Sequence, residues 1–128
     1  MSLVAEVMRS WFETTFDRPT YLGPSLPDMP DDVIIITLMP GGGLVMEGLI
    51  DQPAFQVAVR GAQFGEVTAD VKANQIDKAL LWGDYPHTFW GGRVSSCTRT
   101  GGAPSPLGSF DKGRRAMYTC SYIVRVDL

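Results

Sequence analysis

Apolar residues near the start of the chain recur at the spacing of an amphipathic helix. The positions that share one side of this predicted helix are Leu3, Val4, Val7, Met8, Trp11 and Phe12. Glu6, Arg9 and Glu13 lie on the opposite side. The pattern predicts a first helix with one face in a core. The segment that follows, residues 17–32, is rich in Pro and turn formers, and we expect an irregular connection there.

Apolar and polar residues alternate at residues 53–61, "PAFQVAVRG", which predicts a strand. One face of this strand is apolar and belongs in a core, and its residues are Phe55, Val57 and Val59. The other face is small or polar, and its residues are Ala54, Gln56, Ala58 and Arg60. That second face can meet solvent, a neighbouring subunit or a ligand.

Three further strands are predicted. Residues 33–39, "VIIITLM", are apolar on both faces, as in an interior strand. The "PGGG" at residues 40–43 is expected to break the chain, and residues 44–52 to form a short return or hairpin. A modest strand is expected at residues 94–100. Residues 114–128 form a long closing strand, whose predicted buried side is Tyr118, Cys120, Tyr122, Val124 and Val126.

A second helix is predicted from about Glu66 to Trp82, and it carries two apolar stripes. The first stripe is Ala69, Ala73, Ile76, Ala79 and Leu80. The second, on nearly the opposite side, is Val67, Val71 and Trp82, mixed with Asn74 and Lys78. If the first stripe packs on the sheet, the second must meet the first helix or another chain. The first helix is the more economical interpretation.

The order of the predicted elements is helix, strand, strand, helix, strand, strand. It predicts an α+β fold with a mainly antiparallel, mixed β-sheet and two helices packed on one face. The 128 residues are 45% hydrophobic and 20% charged, and we expect a single domain over residues 1–128. Glu6 and Arg9 interrupt the N-terminal apolar run, and no run reaches the roughly 20 apolar residues of a membrane span. Neither a signal peptide nor a membrane partner is therefore expected.

The net charge of −3 conceals an asymmetry along the chain. Residues 1–92 carry 12 acidic and 5 basic side chains, a balance of −7, and residues 93–128 carry 2 acidic and 6 basic ones, a balance of +4. The two parts either neutralise each other within one fold or steer one surface onto another molecule. No basic run is interleaved with aromatics, which argues against nucleic-acid binding as the main task.

No group of residues has the spacing of a catalytic or metal site. His87 lies in a loop without a cysteine at catalytic spacing, and we expect it to make a loop hydrogen bond. Cys97 and Cys120 lack a nearby third ligand and are expected to be free, buried thiols. Asp31 and the other aspartates of the loops are expected at caps and solvated turns. We predict no metal, no cofactor and no enzymatic activity.

Three segments, taken in order, resemble the tail terminator and minor capsid proteins of long-tailed bacteriophages. They are "PAFQVAVRG", the helix "VTADVKANQIDKALLW" and the closing "LGSFDKGRRAMYTCSYIVRV". In that group a Gln-Val-x-Val-Arg-Gly strand, here residues 56–61, precedes a helix with an Ala/Ile/Leu face. A turn before a Tyr- or Phe-rich strand follows, and its matching residues are Leu107, Gly108, Asp111, Gly113 and Arg114. The resemblance covers about residues 33–128 and the N-terminal helix.

The resemblance implies a structural virion protein of the tail and neck region, assembled in the host cytoplasm. Such proteins form a closed ring, usually six-fold, at the head-proximal end of the tail tube. The ring ends tube polymerisation and offers a surface to the head connector. The implied partners are further copies of this chain in a homohexamer, the tail tube protein and the head-completion or connector protein. DNA is expected to pass through the lumen without specific binding.

A ring joins two different edges of each subunit. The candidate subunit-interface residues are Arg60, Val67, Val71, Trp82, Arg114 and Arg115. The candidate contacts with the tube or the connector are Leu44, Val45, Met46, Trp90 and Phe110. Charge reversal at Arg114 or Arg115 is expected to weaken the ring if those side chains lie in the seam.

Two other interpretations stay open. Another head-to-tail joining or tail-completion protein would share this fold and differ mainly in its neighbours. A small α+β ligand-binding domain is the alternative from a different class, with an aromatic pocket formed by Tyr85, Phe89, Trp90 and Phe110.

Overall fold

The computed structural model describes residues 3–24, 30–45, 49–63, 66–106 and 115–128; for residues 40–45, 63 and 66 it describes the backbone alone. The elements in these ranges are α1 (Ala5–Phe16), β1 (Thr20–Leu22), β2 (Val33–Val45), β3 (Ile50–Gln63), α2 (Glu66–Leu81), β4 (Arg93–Arg99), β5 (Ser105–Pro106) and β6 (Arg115–Asp127).

The strands form one mixed sheet in the order β1, β2, β3, β6, β4, and the short β5 also pairs with β6. β1 runs parallel to β2, with Thr20 opposite Ile34. The other pairs are antiparallel. The sheet is therefore mainly antiparallel, and with the two helices it confirms the predicted α+β fold.

Both helices pack on the same face of the sheet and enclose the main core. α1 contributes Met8, Phe12 and Phe16 to it, as its helical spacing predicts. α2 contributes Ala73, Ile76 and Leu80. The sheet residues of this core are Ile34, Ile36, Phe55, Val57, Val59, Val94, Cys97, Cys120, Tyr122, Val124 and Val126. The predicted buried sides of β3 and β6 are thus confirmed, with Tyr118 only partly buried.

The opposite face of the sheet carries a second, smaller apolar cluster. Its buried residues are Val33, Ile35, Ala58 and Met117, and Tyr21 packs against them. Residues 33–36 of β2 are buried on both faces, as an interior strand requires. Further along the same face of β3, Gln56 is partly buried and Ala54 is buried.

The segment expected to be irregular contains the strand β1. This strand is held by α1, which precedes it. Glu13 Oε2 accepts a hydrogen bond from the backbone N–H of Thr20 at 3.0 Å, and Arg9 Nη1 donates to the Thr20 carbonyl at 3.3 Å. The sequence gives no sign of β1 because its order comes from these tertiary contacts, which override local propensity.

The expected break at residues 40–43 is wrong, because β2 continues through these residues to Val45. The pairing with β3 shifts register there: Met39 lies opposite Ala54 and Gly43 opposite Gln52. Between these two pairs, three residues of β2 (40–42) lie opposite one of β3 (Pro53), so β2 has two extra residues and forms a bulge. Glycine, lacking a Cβ, accommodates such a bulge without ending the strand. The predicted return is confirmed as a hairpin between β2 and β3.

Candidate subunit interface

The outer side of α2 is apolar and open to solvent. Val67 is 77% exposed and Val71 62% exposed, and Trp82, directly after the helix, is 81% exposed. These positions are separated by 4 and 11 residues, so they lie on one side of the helix, opposite Ala69, Ala73, Ile76 and Leu80. We call Val67, Val71 and Trp82 the outer stripe.

The interpretation that α1 covers the outer stripe is wrong. α1 packs over β1 and β2, whereas α2 packs over β3, β6 and β4, so the helices lie side by side on the sheet. Where they approach, Lys72 Nζ donates to the Phe16 carbonyl at 3.3 Å. Ala79, assigned to the sheet-facing stripe, is also exposed. The outer stripe therefore faces away from every described part of the chain.

Lys78 lies within the outer stripe, seven residues after Val71 and four before Trp82, and its side chain is exposed. The Trp82 N–H donates to the Lys78 carbonyl at 2.9 Å, so the helical turn extends to Trp82. The exposed polar side chains of Asn74 and Lys78 therefore separate Val71 from Trp82 on this side of the helix.

A second exposed apolar surface lies along α1. Val7 is 41% exposed, and Phe89, in the loop between α2 and β4, is 53% exposed. The Phe89 ring stacks on Trp11 with centroids 6.3 Å apart and planes at 14°. These residues line a wide, open depression of about 530 Å³, together with Glu6, Arg9, Ser10, Thr14 and Thr15. We call this the α1 groove.

Arg60 and Arg115, predicted at a subunit seam, are buried within the chain. Arg60 Nε donates to the Asp31 carbonyl at 3.1 Å, and Arg60 Nη2 donates to the Pro30 carbonyl at 2.7 Å. Arg115 Nη1 pairs with Asp31 Oδ1 at 3.1 Å. Asp31 therefore joins β3 and β6 to the segment before β2, which is a structural role. Asp31 lies in a bend with about half of its side chain exposed, so it keeps the expected solvated turn position while it makes these contacts.

The charge asymmetry is partly satisfied inside the fold. Two C-terminal arginines pair with acids of the first part: Arg115 with Asp31, and Arg99 Nε with Asp77 Oδ1 at 3.7 Å. Asp77 Oδ1 also accepts a hydrogen bond from the Tyr122 hydroxyl at 2.8 Å. For Arg99 and Arg115, these ion pairs support the interpretation that acidic and basic side chains neutralise each other within one fold.

The three described residues of the predicted aromatic pocket, Tyr85, Phe89 and Trp90, do not line one cavity; Phe110 lies outside the described residues. Trp90, predicted to contact the tube or connector, is fully buried and packs edge-on against Trp11 and Phe55. Tyr85 is half-buried, and its hydroxyl donates to the Leu80 carbonyl at 2.6 Å. Phe89 points outward beside α1 instead. Trp90 is therefore a core residue, because the loop folds back under the N-terminus of α1, where the Val4 N–H donates to the Trp90 carbonyl at 2.9 Å.

His87 makes the expected loop hydrogen bond: its Nδ1 accepts from the Phe89 N–H at 3.2 Å. Burial lowers the pKa of His87. The cysteines are free and buried, as predicted. Burial raises the pKa of Cys97 to about 12 and raises that of Cys120. Both thiols are therefore protonated at neutral pH and poor nucleophiles.

Several candidates lie outside what the structure describes. Arg114, Phe110 and Met46 fall outside the described residues. Leu44 and Val45 have a described backbone, which pairs with Asp51 and Ile50 at the end of the hairpin. Their roles stay predictions.

Among the described residues, no group of three or more His, Cys, Asp or Glu side chains has the arrangement needed to hold a metal ion. Within the same residues, neither helix has the length and apolarity needed to cross a bilayer.

The sequence pattern does not predict the α1 groove. Val7 follows the helical pattern of the core side, so its exposure could not be read from spacing. Phe89 was assigned to an aromatic pocket. The available signal was that α1 carries more apolar positions than one sheet-facing side can bury.

Two comparisons with known proteins gave a match, one by structure and one by sequence family. A chain from the virion of a native gene transfer agent particle has the same fold, with 14% identity and a TM-score of 0.64 over 98% of this chain and 92% of that chain. No curated protein matches the sequence. The family described as bacteriophage tail terminator protein matches residues 16–128. The chain therefore belongs to the bacteriophage tail terminator protein family and is a structural protein of a phage tail.

Proposed function

We propose that this protein forms a ring at the head-proximal end of the tail tube, where it ends tube polymerisation and presents a surface to the head connector. Membership of the tail terminator family supports the location and the role. The observation in the structure that carries the proposal is the outer stripe: three large apolar side chains exposed on one side of α2. Such a surface is typical of a protein whose subunits associate.

A ring of identical subunits needs two different surfaces on each subunit. The outer stripe is one candidate, and the α1 groove, on a different helix, is another. Six copies, the tail tube protein and a connector protein complete the proposed assembly at the neck. DNA passes through the lumen without a specific site.

The proposal can be tested with an infection that lacks this gene. Each tube ring presents the same growing surface, so without a terminator growth continues unchecked. Electron microscopy of the lysate should show DNA-filled heads and separate, abnormally long tubes of variable length. Supplying the gene in trans should restore a uniform length.

The same lysate separates the alternatives. Detached tails of normal, uniform length would mean that the protein acts in head-to-tail joining and not in termination. Normal infectious particles would contradict both virion roles. The ligand-binding alternative loses its main support because Trp90 is buried in the core.

A further inference from the structure

The β2 side of the sheet has an open stretch of edge beyond β1. β1 pairs with β2 only as far as Leu22 opposite Ile36, and the Gly23 N–H donates to the Ile36 carbonyl at 2.7 Å. Because backbone groups alternate along a strand, the N–H and carbonyl of Leu38 point to this same side, past the end of β1. Among the described residues, no strand pairs with β2 on this side after Gly23.

The opposite side of the sheet has an open stretch along β4. The Thr100 N–H donates to the Ser121 carbonyl at 3.1 Å, so the backbone of Thr100 faces β6. By the same alternation, the N–H and carbonyl of Arg99 point away from β6. Val94, near the start of β4, is bound by His87. The open stretch of this edge therefore lies between Val94 and Thr100.

The two open stretches lie at the same level of the sheet, and their strands run in opposite directions. One row across β2, β3, β6 and β4 is Leu38, Phe55, Tyr122 and Arg99, and the next is Met39, Ala54, Ile123 and Thr98. Rotation about a ring axis along the strands brings the β2 side of one copy to the β4 side of the next without a change of level. The two edges then meet as an antiparallel pair, which is the more stable arrangement.

We propose that the open edge of β2 in one subunit pairs with the open edge of β4 in a second copy of this chain, with Leu38 opposite Arg99 and Met39 opposite Thr98. Leu38 and Arg99 exchange backbone hydrogen bonds, so the sheet continues from one subunit into the next. The contact is heterologous, because it joins two different edges, and it repeats around a ring. The inference rests on the proposed function, and it names the two edges that form the subunit interface.

The neighbouring residues limit the pairing to this level. Pro40 has no N–H and cannot extend the ladder along β2. On β4, the backbone of Val94 is already bound within its own chain. Leu38 is 43% exposed in the single subunit, and in the joined sheet its side chain packs beside the methylenes of Arg99, on the face that carries the helices. A free edge thus gains hydrogen bonds and covers an exposed apolar side chain.

A disulfide bond tests the pairing directly. Met39→Cys and Thr98→Cys place thiols on the sheet face opposite the helices, where the facing Cα atoms of the joined sheet are about 4.5 Å apart. Within one subunit, β3 and β6 separate the two positions by about 14 Å, which is too far for a disulfide. The two variants are mixed at high concentration, oxidised by air and run on a non-reducing gel. We expect a covalent dimer from the mixture, a ladder of higher species from the double variant, and neither from each single variant alone.

A third cysteine variant provides the control. Ser121→Cys lies on the same face but in the interior strand β6, and it replaces Thr98→Cys in the mixture. It should give no dimer with Met39→Cys. Circular dichroism confirms that each variant folds. Absence of the Met39–Thr98 dimer, or an equal yield with Ser121→Cys, would overturn the pairing.

Removal of one backbone N–H provides the second measurement. Leu38→Pro removes the N–H that points out of the sheet, whereas Leu38→Ala removes the same side chain and keeps this N–H. Leu38→Pro should associate at least about tenfold more weakly than Leu38→Ala in analytical ultracentrifugation. Equal association constants for the two variants would overturn the pairing.

These results are separate from the tube-length phenotype. A failed cross-link, with unchecked tubes in the infection that lacks the gene, overturns this interface and leaves the proposed function standing. A covalent dimer, with normal tails in that infection, supports the interface and contradicts the proposed function.

Discussion

Arg60 shows how a charged residue at the end of an exposed-looking strand can be structural. The alternation of β3 places Arg60 on the same face as Ala58 and Gln56. From the sequence, this face could contact solvent, a neighbouring subunit or a ligand. In the structure Arg60 is buried and donates to the carbonyls of Pro30 and Asp31. The carbonyl groups that accept these hydrogen bonds belong to a segment distant in sequence, and they leave no pattern in the sequence. The sequence alone therefore could not distinguish a subunit-interface role for Arg60 from a structural role within the chain.

Because Arg60 has a structural role, we expect its substitution to destabilise the fold. Arg60→Ala removes charge-assisted hydrogen bonds, and we expect the free energy of unfolding to fall by about 2 kcal/mol. Arg125→Ala, at an exposed position of β6, is the control and should change it by less than about 0.5 kcal/mol. Urea unfolding measures both. Unchanged stability combined with weaker association would return Arg60 to the subunit seam.

The Cys97 thiol predicts how stability changes at alkaline pH. Its pKa is raised from 9.0 to about 12, chiefly by burial, so the fold holds the proton more tightly than the unfolded chain does. Its contribution is complete below pH 9.0 and is lost as the pH rises toward about 12. The expected slope is about 1.4 kcal/mol per pH unit.

Cys97→Ala removes this contribution, so its unfolding free energy should fall less steeply than that of the parent over the alkaline range. Burial also raises the pKa values of Tyr85 and Tyr122, which adds the same sign of dependence to both proteins. Urea midpoints at a series of pH values give the two slopes. Parallel slopes for parent and variant would show that Cys97 does not titrate as described.

The elements at the two sides of the sheet limit how subunits can associate. At β1 the backbone groups of Thr20 are already bound by Glu13 and Arg9. At β4 the backbone of Val94 is bound by His87, at 2.8 and 3.0 Å. Strand addition at these points would have to break existing hydrogen bonds. At these two points the edge backbone groups are therefore already occupied.

The loop that carries Phe89 is fixed by Gly91. Its φ of +92° suits glycine, and a Cβ there would lie 2.5 Å from Val4 Cγ2. Gly91→Ala should therefore lower the unfolding free energy by about 2 kcal/mol and disturb the α1 groove. Gly101→Ala, where a Cβ would meet nothing within 4 Å, is the matched control. Equal melting temperatures for the two variants would contradict this account of the loop.

If the outer stripe is a subunit interface, substitutions in it should weaken association more than they destabilise the folded subunit. Trp82→Ala should weaken association by about 2 kcal/mol, as loss of a central aromatic does at many interfaces. Its melting temperature should change little, since the indole is exposed in the subunit. Thr68→Ala, also exposed on α2, serves as the control. An equal loss of melting temperature and association would indicate that Trp82 packs within its own chain.

Sequence predicted those elements whose pattern depends on one buried face. α1, α2, β3 and β6 have a clear period, so their buried sides could be read directly. β1 and the bulge in β2 could not, because tertiary hydrogen bonds and glycine geometry create them. In the same way the exposure of Val67, Val71 and Trp82 depends on where α1 lies, and helical spacing carries no information about that.

At the scale of the whole molecule, the family match and the fold agree with a protein whose function lies in its surfaces. The described loops hold no pocket built around Trp90, and the two cysteines are buried and protonated at neutral pH. The notable surface features of the described residues are the exposed apolar side chains of the outer stripe and of the α1 groove.

If this protein stops tube growth, as proposed, its effect can be measured on the length of tubes assembled in vitro. Purified tail tube protein is polymerised, the tubes are incubated with increasing amounts of this protein, and fresh tube protein is then added. Electron microscopy gives the length distribution. The account predicts that tubes carrying a ring at one end stop elongating there, so the mean length falls as the protein is added. Continued elongation at saturating protein, with lengths equal to those of untreated tubes, would contradict it.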